Sequence, residues 1–249
     1  MLAKRRHRWV AALSGAALCF VGLVSSNGKS QTTPAGQPPT RMVWAWERPE
    51  DLRFVDPETT GIAFLAGTIR WSGEAMEFYP RMQPLVFPQR AFRMPVVRIE
   101  RATAAPPLGT EAQLRGAAEA ILEWSAGFGW VQLDYDAAES ERPLYRQLLA
   151  RLRQRLAPGT RLSITALASW CLGDRWIPKD LVDEIVPMLF DMGPDEDLIR
   201  EQIARSPIFP EPACNGASGL VAGDKFIARF SGRRVYLFSR DRWSEVALR

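Results

Sequence analysis

The sequence predicts an α/β protein whose elements close into a compact (β/α)₈ barrel of the TIM type. An incomplete or irregular version of this barrel is the alternative. Near-continuous apolar strands alternate with amphipathic helices, which is typical of a parallel sheet covered by helices. About eight strands can be counted. The chain has 249 residues and is 47% hydrophobic, which suits one domain with a large core.

Eight segments have the composition of strands: 42–46, 61–71, 95–100, 130–135, 162–168, 184–190, 219–222 and 234–238. The segment at 219–222 is the weakest of them. Residues 77–94 are interrupted by proline and give no clear prediction.

Amphipathic helices are predicted between several of these strands. Residues 110–124 begin with Thr110 as a capping residue, and Leu114, Ala117 and Ile121 recur at helical spacing. Further helices are predicted at 143–156 and 195–205, with a helical turn at 178–183. The rival architecture is an open doubly wound sheet, but the Gly-x-Gly-x-x-Gly turn and the Walker sequence that bind nucleotides are both absent from the sequence.

The N-terminal residues 1–26 have the pattern of a secretory signal peptide, with a cationic start, an apolar run and small residues at its end. A retained membrane anchor is the alternative. Residues 27–41 are rich in Ser, Thr, Gly, Gln and Pro and predict a flexible linker, and residues 42–249 form the barrel domain. The protein is therefore expected to be exported, either periplasmic or extracellular, and tethered to a membrane only if the first segment is uncleaved.

Charge and histidine content exclude several classes of function for the mature chain. The formal net charge of +4 comes from four basic residues within residues 1–26, a segment without acidic residues. No basic footprint for nucleic acid remains once that segment is removed. The single histidine, His7, leaves with it. A Ser-His-Asp or Cys-His mechanism is thereby excluded, and neither a metal nor a cofactor is predicted.

Two cysteines, Cys171 and Cys214, remain after the predicted signal. In an exported protein an even pair favours a disulfide over two free thiols.

The stretch Phe128-Gly-Trp-Val-Gln-Leu-Asp-Tyr-Asp136 reads as a buried strand that delivers two carboxylates at its C-terminal end. Alternate side chains of a strand point to one side, so Asp134 and Asp136 should share a face. Carboxylates held close perturb each other's pKa, and one can stay protonated as an acid near neutral pH. The alternative is a pair of ordinary loop aspartates.

In a barrel of this type the functional site lies at the C-terminal ends of the strands. Acidic and aromatic side chains dominate these positions, a combination that carbohydrate sites use. The catalytic candidates are Asp134, Asp136, Asp191 and Glu100, and the binding candidates at strand ends are Trp46, Glu47, Arg98 and Trp170. Each has a structural alternative: Glu100 could pair with Arg98, Asp191 could cap the next helix, and the tryptophans could fill the core.

The stretch that ends at Asp136 resembles the strand-4 motif Phe-Asp-Gly-x-Asp-x-Asp-x-Glu of family 18 chitinases and endoglycosidases. Pro187-Met-Leu-Phe-Asp191 is similar to the Met-x-Tyr-Asp of that family's strand 6. The chain also resembles a family of secreted bacterial proteins of unknown function. The first resemblance implies a (β/α)₈ barrel that acts on carbohydrate, with Asp136 at the position of the acid and Phe190 at that of the substrate-contacting Tyr.

Three positions depart from that motif. Asp136 replaces the longer Glu, Gln132 replaces the first strand aspartate, and Phe190 replaces the Tyr. Three functions therefore stay open: an exported glycoside hydrolase-like enzyme, an inactive barrel that binds glycan or a cell-envelope partner, and a structural envelope protein whose acids only hold strand ends together.

Overall fold

The computed structural model describes residues 36–101, 107–174 and 176–248. The predicted signal peptide at 1–26 and the first part of the predicted linker, 27–35, lie outside these ranges. The described residues form eleven strands: β1 (Arg41–Ala45), β2 (Glu50–Asp51), β3 (Thr60–Ser72), β4 (Ala75–Pro80), β5 (Leu85–Val86), β6 (Arg93–Arg101), β7 (Trp130–Asp134), β8 (Arg161–Leu167), β9 (Glu184–Met188), β10 (Ala217–Val221) and β11 (Arg234–Phe238).

Eight of these strands form a closed parallel barrel in the order β1, β3, β6, β7, β8, β9, β10, β11. The barrel closes because β1 pairs in parallel with both β3 and β11. These are the eight strands that the sequence predicts, and the weak segment at 219–222 corresponds to β10. The predicted fold class is confirmed.

Within the described ranges, four helices connect later strands of the barrel: α1 (Glu111–Trp124), α2 (Arg142–Arg155), α3 (Ala168–Leu172) and α4 (Glu196–Arg205). A fifth, α5 (Glu245–Leu248), follows the last strand. Thr110 caps α1 through its side chain, which accepts a hydrogen bond from the backbone N–H of Gln113 at 3.2 Å. The connections between β1, β3 and β6 instead contain the short strands β2, β4 and β5, so the barrel is irregular on this side. The predicted helical turn at 178–183 is a single turn, in which the backbone N–H of Leu181 donates to the carbonyl of Pro178 at 2.9 Å.

Two cores stabilise the barrel. The larger one lies between the strands and the helices that cover them. The smaller one fills the barrel interior with Met42, Trp44, Ala63, Met94, Val96, Trp130, Val186, Ala217 and Tyr236. Large side chains fit there because small residues face them: a Cβ added to Gly61 would lie 2.5 Å from the sulfur of Met42. The interior is thus a packed core and not a pore.

Residues 36–40 lie against the barrel at the N-terminal ends of its strands. The indole of Trp130 donates to the carbonyl of Gly36 at 3.2 Å, and Arg234 donates to the carbonyls of Pro38 and Pro39, both at 3.1 Å. Arg41 already belongs to β1. The final part of the predicted linker is therefore attached to the domain, which corrects the expectation of a flexible segment up to residue 41.

A disulfide joins Cys171 in α3 to Cys214, with the two Cα atoms 5.9 Å apart. This confirms the predicted pairing. The bridge spans 43 positions of sequence, and closing a loop of that size is expected to stabilise the fold by about 4 kcal/mol through the unfolded state. None of the helices within the described ranges has the length and apolar character needed to span a bilayer.

Candidate functional site

A cleft of about 400 Å³ opens at the C-terminal ends of the barrel strands. Six of the predicted site residues line it: Trp46, Arg98, Asp134, Asp136, Phe190 and Asp191. The other lining residues are Trp44, Thr165, Leu167, Ala168, Ser169, Met188, Met192, Gly193, Asp195, Ile199 and Phe238. The position agrees with the general rule for this architecture.

Asp134 and Asp136 both face the cleft, and Tyr135 between them is buried on the opposite side, in the outer core. This is the alternation that the sequence predicts for β7 and its continuation. Thr165, on the neighbouring strand β8, donates from its hydroxyl to Oδ1 of Asp134 at 2.8 Å. The hydrogen bond fixes one carboxylate of the pair.

The pKa values of both carboxyls are raised. Burial raises the pKa of Asp134, while the Thr165 hydrogen bond and the charge of Arg98 oppose the shift. Asp136 sits at the mouth of the cleft and is solvent-exposed, but the protein packed around it, together with the charge of Asp134, raises its pKa to about 6. The pair can therefore hold a proton close to neutral pH.

Arg98 lies between the acid pair and two other predicted site residues. Its guanidinium stands 5.8 Å from the ring centroid of Trp46, and its Nε lies 3.4 Å from Oε2 of Glu100. Glu100 also pairs with Arg70 at 2.8 Å. The internal ion pair expected as the alternative role of Glu100 is present, and this carboxylate is occupied by two cations.

Aromatic rings line the cleft together with the acids. Phe190 stacks on Phe238 with ring centroids 5.2 Å apart and planes at 9°. The edge of Phe190 meets Trp44 at 6.1 Å, and Trp44 in turn lies 5.1 Å from Tyr236 inside the barrel. A cleft with carboxylates on one side and ring faces on the other suits a ligand that has both hydroxyls and apolar C–H faces.

A chain of buried hydrogen bonds holds the floor of the cleft. Nε1 of Trp44 donates to Oε1 of Gln132 at 2.8 Å, and Nε2 of Gln132 donates to Oγ of Ser163 at 3.0 Å. The hydroxyl of Ser163 donates to Glu184 at 2.8 Å, and Tyr236 donates to the same carboxylate oxygen at 2.7 Å. Fully partnered networks of this kind rigidify a core, so the orientation of Trp44 is fixed from below.

Three predicted site residues are placed differently from the expectation. Trp170 is only 2% exposed and packs edge-on against Trp176, with centroids 4.5 Å apart. Helix α3 begins at Ala168 and turns the Trp170 side chain away from the cleft into the outer core, so it offers no ring face to a ligand there. Glu47 is exposed in the loop after β1 and does not line the cleft, and Glu100 lines a neighbouring cavity instead.

Asp191 lies on the rim and pairs with Arg240 at 2.5 Å, with both side chains 60% exposed. Its backbone has a φ of 51°, in the left-handed region, where aspartate and asparagine are tolerated better than most residues. Among the described residues, no cluster of three or more His, Cys, Asp or Glu side chains has the arrangement to hold a metal ion.

Sequence reasoning missed Thr165 and left Trp44 between a position at the strand ends and a role in the core. Thr165 and Ser163 are polar residues two apart on β8, and both are buried. Polar residues at alternate positions of an otherwise apolar strand are the signal that could have shown a polar inward face.

No protein-family model matches this chain, and no curated protein matches it. Among solved structures, the crystal structure of the Bacillus cereus spore cortex-lytic enzyme SleL matches with a TM-score of 0.44 and 14% sequence identity, covering 76% of this chain and 52% of that one. The chain spans about half the length of that protein. A similarity of this strength assigns neither an activity nor a substrate.

Proposed function

We propose that the protein is an exported glycoside hydrolase-like protein that acts on a cell-envelope or extracellular glycan in the cleft of Asp134 and Asp136. One observation carries the proposal: two carboxyls with raised pKa values share one cleft with several aromatic rings. Glycosidic bonds are cleaved by such carboxyls, and aromatic rings pack against sugar C–H faces. The disulfide and the predicted signal at residues 1–26 support export.

Asp136 is the candidate general acid. Its pKa of about 6 leaves a large fraction protonated at mildly acidic pH, ready to donate a proton to the leaving glycosidic oxygen. Asp134, held by Thr165, would position the Asp136 carboxyl and raise its pKa. The resemblance to family 18 glycosidases implies the same role for Asp136.

The second carboxylate of a common glycosidase is harder to assign. Asp191 pairs with Arg240, and Glu100 pairs with Arg70 and Arg98. A substrate-assisted reaction needs no second carboxylate as nucleophile: a group of the sugar itself attacks the anomeric carbon while Asp136 protonates the leaving oxygen. Sugars with a 2-acetamido group are therefore the preferred substrate class.

The test is hydrolysis of a glycan panel by the parent protein and by Asp136→Asn. The panel should include chitin oligosaccharides, peptidoglycan glycan strands and a glucan without acetamido groups. We expect products from an acetamido-containing member and a loss of rate of at least about 10²-fold in Asp136→Asn. Asp197→Asn, an exposed change on α4, is the matched control and should keep the parent rate. Equal rates in the parent and Asp136→Asn would reject the assignment.

A second candidate function is glycan binding without catalysis. It is favoured by Asp136, which is one methylene shorter than the Glu of the resembling motif, since a misplaced proton donor can cost about 10²-fold in rate. Under this function the parent yields no products from the panel. Binding of a glycan would then survive replacement of Asp134 and Asp136 together by Asn.

A further inference from the structure

Strand β3 leaves the barrel halfway along its 13 residues. Its first part pairs with β1, from Thr60 to Phe64. The register shifts between Leu65 and Gly67, and beyond this irregularity β3 pairs with the antiparallel strand β4. Residues 67–72 and 75–80, together with 97–101 at the end of β6, therefore form a three-stranded extension above the barrel mouth, called the wall below.

The strand register places one face of the wall in line with the acid pair. Tyr79 is the partner of Thr68, Thr68 of Arg98, and Arg98 of Asp134. Partners in register point to the same side of a sheet. Tyr79 therefore belongs to the face that carries Asp134, three strand spacings or roughly 14 Å away.

Charged and aromatic groups connect the cleft to Tyr79 along this face. The connection runs from Trp46 through Arg98 and Glu100 to Arg70. The guanidinium of Arg70 then lies 4.9 Å from the ring centroid of Tyr79. Tyr79 itself is 45% exposed. A cavity of about 430 Å³ lies at the ends of β6 and β7, where residues 98–101 of the wall and residues 134–136, which include the acid pair, line it together.

The opposite face of the wall is covered by α1. Phe78 meets Trp124 edge-on at 6.4 Å, and a Cβ added to Gly116 would lie 2.6 Å from the terminal methyl of Met76. The two faces of the hairpin are therefore different: one packs on a helix, and the other holds charged groups and the exposed ring of Tyr79.

We propose that this face is an outer binding subsite, which holds further sugar rings of the same glycan beyond the acid pair, with Tyr79 as their stacking platform. The proposal rests on the proposed function of the cleft. The expected ligand is the remainder of the glycan that occupies the cleft, because one continuous face runs from Arg98 and the acid pair to Tyr79. Arg70 and Glu100 pair with each other, and Glu77 accepts from the Tyr79 hydroxyl at 2.7 Å, so it is their remaining N–H groups and oxygen lone pairs that can meet sugar hydroxyls along the way.

The experiment compares binding of short and long β-1,4-linked N-acetylglucosamine oligomers by titration calorimetry. The disaccharide and the hexasaccharide are titrated into Asp136→Asn, which preserves the ligand, and into the same protein that also has Tyr79→Ala. We expect Tyr79→Ala to weaken hexasaccharide binding roughly 3- to 10-fold and to leave disaccharide binding unchanged.

Phe78→Ala is the matched control, because it removes a ring from the same strand on the face that packs against α1. It should leave the ratio of hexasaccharide to disaccharide affinity unchanged, and thermal unfolding of each variant reports any general loss of stability. Equal weakening of both oligomers by Tyr79→Ala, or of neither, would overturn the outer subsite and leave the proposed function of the cleft intact. Failure of both oligomers to bind would contradict the subsite, while the glycan panel still decides the proposed function.

Discussion

The indole of Trp44 is held by Gln132: Nε1 of Trp44 donates to Oε1 of Gln132 at 2.8 Å, across the barrel interior from β1 to β7. Gln132 is fully buried, and Trp44 forms part of the cleft. Gln132 stands where the resembling glycosidase motif has an aspartate. In this chain the residue orients an aromatic ring at the base of the cleft, beneath the two carboxylates.

Replacement of Gln132 by Met should destabilise the protein by about 2 kcal/mol, because the Trp44 indole N–H would be buried without a partner. Urea unfolding measures the change in the free energy of unfolding. The control is Gln83→Met at an exposed position, where a change within about 0.5 kcal/mol is expected. Equal effects of the two substitutions would show that the hydrogen bond does not stabilise the fold.

Gly219 gives Trp44 the space it occupies. A Cβ at this position would lie 2.6 Å from the Trp44 ring, so Gly219→Ala should displace the indole and cost about 1–3 kcal/mol by overpacking. Gly216→Ala is the matched control, since a Cβ there meets open space. Near-UV circular dichroism and urea unfolding report the two effects. An unchanged spectrum and stability in Gly219→Ala would contradict the close packing.

Protonation of Asp136 should make the stability of the parent depend on pH. The folded-state pKa of about 6 lies above the ordinary value of 3.8, so its contribution is complete below about pH 4 and is lost as the pH rises through 6. Relative to Asp136→Asn, the parent should lose about 1 kcal/mol between pH 4 and 7, after discounting for solvent screening at an exposed carboxyl. Urea unfolding at a series of pH values measures the difference, and parallel curves for the two proteins would refute the raised pKa.

Removal of the disulfide should lower the free energy of unfolding by about 4 kcal/mol in the double variant Cys171→Ala and Cys214→Ala. The same loss is expected when the parent is unfolded in the presence of a reducing agent, and the double variant should not respond to that agent. A parent protein whose stability is insensitive to reduction would show that the bridge does not form in solution.

The sequence predicts the barrel well because its signals are local. Each strand is a short apolar run, each long helix has a 3.6-residue period, and Thr110 caps α1 as its spacing indicates. The two aspartates after β7 share a side because side chains of a strand alternate. A local pattern could not show that α3 starts at Ala168 and carries Trp170 into the core, nor that residues 75–80 return as a strand against β3.

By itself, the sequence determined the (β/α)₈ class, the cysteine pair available for a bridge, and the presence of Asp134 and Asp136 at the end of a barrel strand. The tertiary structure decided which aromatic rings face those acids, the ion pairs that occupy Glu100 and Asp191, and the alignment of Tyr79 with Asp134 through three strand pairings. The physical reason is the separation along the chain over which each effect acts. Periodicity and turn chemistry act over a few residues, whereas strand register and packing join positions far apart in the sequence.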